Sequence, residues 1–323
     1  MSYPEGVSSA NGSAGAGLET PTPPSTLFRG ANGIRAGWRA LIFLSIVATL
    51  MLATSVIVRL LRHGQAHVGA RASILSPMAV VLFDGPVLFF IVLAALIMAR
   101  IEHRKFSQYG LPLRSAFGLD FWIGTGIGFV TISATLAGIF TLHGFRLTGL
   151  AIHGSTIATS VAAWGSTFVL VGLAEEFAFR GYLQHTLTTG MGFWPAAAVL
   201  SALFALTHGG NPVESKTGLL VIVAFGLLQC FFLQRTGNLW LAVGFHAGYD
   251  WGTTFFYGVP DSGYAPYHNL LNSEFKGPNW LTGGSVGPEA SAISFIVLAI
   301  VAIVFSRVNT EKRYRTELPP SQH

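Results

Sequence analysis

Charge is scarce in this 323-residue chain, of which 10% is Asp, Glu, Lys or Arg. Soluble domains usually carry about 25%. With 51% hydrophobic residues and a mean hydropathy of +0.55, the composition excludes a domain that covers itself with charge. Cysteine is nearly absent: the one thiol, Cys230, lies in an apolar run, so no internal disulfide can form. No basic patch interleaved with aromatics is present, which argues against a nucleic-acid partner. The formal net charge of +5 reads instead as basic loops at a membrane surface. The start lacks the short basic segment and apolar core of a signal peptide, so the first apolar run is expected to be retained. No internal repeat is visible, which weakens the reading as a two-halves transporter.

What the chain has in abundance is apolar runs. Crossing the hydrocarbon takes about 20 apolar residues. Eight runs qualify: 37–59, 76–100, 118–142, 157–186, 192–209, 217–235, 238–257 and 290–306. The expected fold is all-α, a polytopic membrane protein of about eight transmembrane helices around a polar intramembrane site. Residues 1–34, rich in Gly, Ser and Pro, are expected to be a disordered tail. Residues 35–309 form the membrane domain, with a motif core at 157–257, and 310–323 a cytoplasmic tail. Basic residues before the first run, between the second and third, and after the last place both termini on the cytoplasmic side. "GTGIG" (Gly124, Gly126, Gly128) lacks the preceding strand of a nucleotide loop and reads as close helix packing.

The later runs carry charge where lipid-soluble residues should continue. "GLAEEFAFRG" places Glu175, Glu176 and Arg180 in the fourth. An ionised side chain at the bilayer centre costs roughly 2.5–3.5 kcal/mol, so the three together cost about 7–10 kcal/mol unpaired. Glu176 and Arg180, four apart, share a helical face and are expected to pair. Glu175 points about 100° away and needs another partner. His208 ends the fifth run, and in an antiparallel hairpin turning near 188–192 it lies at a depth similar to that of Glu175. The seventh run holds His246 and Asp250, again four apart. Six ionisable groups on three helices exceed what packing requires.

"EEFAFR", "FALTH" (Phe204 to His208) and "HAGYD" (His246 to Asp250) resemble, in order, the EExxxR, FxxxH and HxxxN/D motifs of the CPBP intramembrane proteases. This family, also called Abi, includes the type II CAAX prenyl endopeptidases. "GGSVGPEAS" before the last run resembles an extension of bacterial members. The resemblance implies peptide-bond hydrolysis in a bacterial plasma membrane, on a membrane-bound or prenylated substrate. It implies Glu175 and His208 as the activators of water, and His246 and Asp250 as metal or oxyanion partners. Glu176 and Arg180 would shape the site. Bacteriocin maturation or immunity is also linked to bacterial members, so a non-proteolytic immunity or scaffold protein is the alternative. A proton-coupled transporter is a lesser one.

Two chemical schemes fit these residues. In the first, Glu175, His208 and His246 hold a Zn²⁺ in a His₂Glu arrangement, with Glu176 available as base. In the second, Glu175 and His208 activate water with no metal, Glu175 being a better base in low dielectric.

Overall fold

The computed structural model describes residues 27–30, 33–61, 74–211 and 213–315. Most of the N-terminal tail and residues 316–323 of the C-terminal tail lie outside them. The chain divides into Met1–Arg35 and Ala36–His323. In the first unit, β1 (Arg29–Gly30) and β2 (Gly33–Ile34) form an antiparallel pair.

The second unit is helical. It contains α1 (Ala36–Leu61), α2 (Pro77–Ile101) and α3 (Leu119–Thr141). Strand β3 (Phe145–Leu150) follows, then α4 (Ser155–Glu176), α5 (Gln184–Met191), α6 (Phe193–His208) and α7 (Lys216–Thr236). Last come α8 (Trp240–Asp250), strand β4 (Leu271–Phe275), the short α9 (Asn279–Thr282) and α10 (Ala292–Val308). Each of the eight apolar runs is thus helical, with α4 and α5 sharing the fourth. Helices α1, α2, α3, α7 and the continuous stretch Ser155–Met191 are long and apolar enough to cross a bilayer. Helices α6 and α10 are apolar but shorter.

Local chemistry sets several ends. The Ser76 hydroxyl accepts from Ala79 N and Pro77 occupies the first turn of α2, where a missing N–H costs nothing. The Ser215 hydroxyl accepts from Gly218 N at 2.9 Å at the start of α7. Gly237, left-handed at φ 76°, closes α7 with its N–H on Leu233 O. Outward faces remain apolar: Leu82, Phe83 and Phe89 of α2 are all exposed, as a lipid-facing helix requires.

Helices α3 and α8 cross most closely, and glycine makes this possible. A Cβ on Gly128 would overlap Phe245 O and stand 2.8 Å from Tyr249 N. A Cβ on Gly124 would stand 2.9 Å from Phe245 N. Gly244 and Gly248 of α8 meet the α3 backbone in the same way. Gly126, between them, faces open space. The "GTGIG" segment is therefore a packing stripe at two of its three glycines.

The polar stretch after α8 folds back onto the helices. Leu75 N donates to Ala265 O at 2.8 Å, and Trp164 Nε1 to Tyr267 O at 3.0 Å. Gly263 N donates to Val286 O at 2.9 Å, tying this stretch to the turn before α10. Strand β4 within it pairs antiparallel with β3. These contacts bring Asp261, Ser262, Tyr264 and Glu289 into the wall of a cavity among the helices.

Candidate active site

Two helices widen directly after a charged motif residue. Beyond Glu176, the backbone of Phe177–Leu183 opens into a π-helical turn, with Gly181 off helical geometry at ψ −114°. Beyond Asp250, Trp251–Phe256 does the same. Such turns swing the following side chains out of helical register and recur at functional sites. At Gly181 a Cβ would lie 2.5 Å from the Phe177 ring, so glycine is what lets the first turn close.

His246 is the hub of the motif residues. Its Nδ1 donates to Glu176 Oε1 at 2.7 Å, which fixes the ring. Its Nε2 lies 3.5 Å from Glu175 Oε2 and 3.4 Å from Asp250 Oδ2. Three carboxylates therefore face one imidazole. Glu176 and Arg180 are fully buried, with Arg180 Nη1 3.5 Å from the same Glu176 Oε1. The expected pair is present, but Glu176 spends its short hydrogen bond on His246. The Arg180 guanidinium lies 4.5 Å from the Phe204 ring centroid, and its Nε and Nη2 have no hydrogen-bond partner among the described residues. Gly226 leaves it room: a Cβ there would be 2.5 Å from Nη2.

His208 differs from expectation. Its Nδ1 donates back to Phe204 O at 2.9 Å. Among the described residues no hydrogen bond or ion pair joins it to Glu175; both line the same cavity. The depth argument assumed a straight α4, and the widened turn at 177–183 with the α5 extension changes that register. Glu175 meets His246 instead.

The cavity measures about 690 Å³. Val80, Phe83, Phe168, Val171, Phe204 and Phe225 supply apolar wall. The polar lining holds five carboxyl groups, Asp84, Glu175, Asp250, Asp261 and Glu289, with His208 and His246. Asp84, Asp261 and Glu289 were not among the expected site residues. Asp84 had a signal, being an acid inside the apolar run 76–100. Glu289 lies in the "GGSVGPEAS" stretch, whose resemblance assigned it no role, and Asp261 had no signal, since acids in a polar loop are ordinary.

The expected Zn²⁺ ligands do not converge. Among the described residues, the one group of His, Cys, Asp and Glu whose ligand atoms all lie within 4.8 Å of one another is Asp250, Asp261 and Glu289. Glu175, His208 and His246 do not form such a group, so the His₂Glu set does not fit as the helices place it. Asp261 Oδ2 accepts from Thr254 Oγ1 at 2.6 Å, and Glu289 Oε2 accepts from Ser262 N and Oγ at 3.0 and 2.9 Å. Burial pushes the Asp261 carboxyl up despite the Thr254 bond that lowers it. Burial, and then the charges of Asp261 and Asp250, hold Glu289 well above the carboxylate range.

The buried Glu176–Arg180 pair makes a stability prediction. Removing one partner of a buried pair costs about 3–5 kcal/mol, because the other charge is left uncompensated. Arg180→Ala should lower folded yield in membranes and the melting temperature of the purified protein. A wild-type yield and melt for that variant would show that the pair does not hold the helices.

Residues 157–252 match the family model described as Type II CAAX prenyl endopeptidase Rce1-like. The match covers under a third of the chain and bears out the resemblance over α4 to α8. It contains Glu175, Glu176, Arg180, His208, His246 and Asp250, but not Asp84, Asp261 or Glu289. No relative matches among the curated proteins.

Proposed function

We propose that this chain, with its Rce1-like segment among membrane-spanning helices, is an endopeptidase that hydrolyses a membrane-anchored or lipid-modified peptide. The observation that carries this reading is the position of Glu175. Its carboxylate opens into the cavity beside His246, whose ring is clamped by Glu176 at 2.7 Å.

Hydrolysis needs a base for water, donors for the developing oxyanion and a proton for the leaving amine. Glu175 takes a proton from water, and the hydroxyl oxygen bonds to the scissile carbonyl carbon. His246, clamped by Glu176 and held as the imidazolium among three carboxylates, supplies its Nε2–H toward the oxyanion, and His208 lines the same cavity. The tetrahedral centre collapses, the C–N bond breaks, and the proton held by Glu175 passes to the amine. This scheme uses no metal and is favoured over the Zn²⁺ scheme because the expected ligands do not converge. The apolar wall suits an aliphatic or prenyl substrate, and the exposed Phe83 puts part of the rim on a lipid-facing helix.

The test uses the full chain in proteoliposomes with prenylated and unprenylated peptides, products being read by mass spectrometry. Cleavage at one bond, favoured by the lipid anchor and persisting after chelator treatment, is expected. Failure to cleave any anchored peptide would remove the protease reading. Loss of activity on chelation, restored by Zn²⁺, would reinstate the metal scheme.

A further inference from the structure

One end of the helical unit, far along the chain from the motif residues, gathers cations from separate stretches. Residues 100–122 run from the end of α2 into α3, 234–240 join α7 to α8, and 307–315 continue beyond α10. Leu239 N donates to Gly110 O at 2.7 Å, and Trp240 Nε1 to Pro112 O at 3.1 Å. Arg313 N and Tyr314 N both donate to Gln234 O, at 3.0 and 3.1 Å. Arg235 donates to Thr310 O, and the Tyr314 ring packs on Phe193 at 5.1 Å. Residues 310–315, expected as part of a tail, are therefore a strap laid across the end of α7 and the start of α6.

The strap is fixed through its backbone and Tyr314, which leaves its charged side chains outward. Arg307, Lys312 and Arg315 are exposed, as are Arg100, Lys105 and Arg114 on the neighbouring stretch. None of the six has an ion pair among the described residues, and the acids at this end are engaged elsewhere. Glu102 takes Arg39 and Arg104, Asp120 accepts from Asn238 Nδ2 at 3.0 Å, and Glu311 takes Arg313 at 3.2 Å. The stretches outside the described residues hold three acidic side chains, Glu5, Glu19 and Glu317, so they cannot match all six one to one. Apolar side chains are interleaved with these cations. Leu113, next to Arg114, is 81% exposed, Phe117, Leu119 and Trp122 are exposed after it, and Val308, next to Arg307, is 75% exposed. The span-length helices α2, α3 and α7 all have an end here, so these residues stand where hydrocarbon gives way to headgroups.

We propose that this end of the protein docks onto anionic phospholipid headgroups, whose phosphates accept from Arg114, Arg307, Lys312 and Arg315 while Leu113, Phe117 and Leu119 enter the acyl layer. The inference goes beyond the protease reading and does not depend on it. A one-sided excess of basic loops sets orientation; a strap hydrogen-bonded in place also presents its cations to lipid at fixed positions. Lysine and arginine stems lie along apolar surface while their heads reach the phosphates. A nucleic acid or an acidic protein would match the charge, but not the apolar side chains set among it at the edge of the hydrocarbon.

The experiment reconstitutes the full chain in phosphatidylcholine vesicles carrying a trace of spin-labelled phosphatidylglycerol or spin-labelled phosphatidylcholine. The motionally restricted share of each label gives their relative association with the protein. A basic residue near the surface is worth about five-fold in partition of anionic lipid, so phosphatidylglycerol should be preferred by about that factor or more. The preference should shrink as added NaCl screens the exposed charges. Replacing Arg307, Lys312 and Arg315 together by Gln, and separately Lys105 and Arg114 by Gln, should each bring the two labels toward equality. Arg146→Gln is the control: Arg146 pairs with Glu274 on the β3–β4 ribbon, and its loss should leave the preference unchanged. The two multiple variants lie on separate stretches, so failure of one to fold leaves the other to decide. Equal association of both labels with the wild type would overturn the inference, and so would a preference that the folded variants keep. Inorganic phosphate that abolishes the preference where NaCl of equal ionic strength does not would assign the cations to free phosphate, and would overturn it as well.

Discussion

Glu175→Gln is expected to fold as the wild type does and to lose hydrolysis by about 10²–10⁴-fold, the usual contribution of a positioned general base. The amide keeps the size of the side chain and removes the basic oxygen. Folding should survive because Glu175 opens to the cavity and its nearest charged partner, His246 Nε2, stands at 3.5 Å. The fall should appear in kcat, with KM little changed, since proton transfer is made only in the transition state. Glu176→Gln makes the contrast. Its carboxylate is fully buried, holds His246 at 2.7 Å and faces Arg180, so that variant should lose thermal stability together with activity. Rates and melting curves for the two variants, measured side by side, check the division of labour. Full hydrolysis by Glu175→Gln would move the base to Glu176.

The largest structural effect is expected at the α3–α8 crossing. Gly128→Val should give almost no folded protein, because even the first carbon of a side chain there overlaps Phe245 O and stands 2.8 Å from Tyr249 N. Overpacking usually costs about 1–3 kcal/mol; here the obstacle is backbone, which cannot swing aside as a side chain can. Separating the helices would also displace His246 and Asp250, carried by α8. Gly126→Ala is the control. It lies on the same helix, meets no atom within 4 Å, and should be neutral or slightly stabilising through helix propensity. Size-exclusion yield and melting temperature in detergent distinguish the two, and a wild-type melt for Gly128→Val would show that the helices do not cross as closely as described.

The eight helical stretches were readable from the sequence, because apolar length and helical continuity are local properties of the chain. So was the Glu176–Arg180 face, which four-residue spacing dictates in any helix, and so was the gathering of acids and histidines on α4, α6 and α8. Which partner each charge takes was decided only in three dimensions. A straight hairpin matched Glu175 with His208; the π-helical turn after Glu176 broke that register and left Glu175 beside His246. Glu176 reaches from α4 to His246 on α8, a contact between residues 70 positions apart. Asp261 and Glu289 sat in a polar loop with no periodicity to mark them. They joined Asp250 because the segment after α8 folds back, tied by Gly263 to Val286 and by Ser262 to Glu289. Spacing along one helix is set by the backbone and can be read directly, whereas convergence of separate elements depends on turns and packing that no single stretch contains.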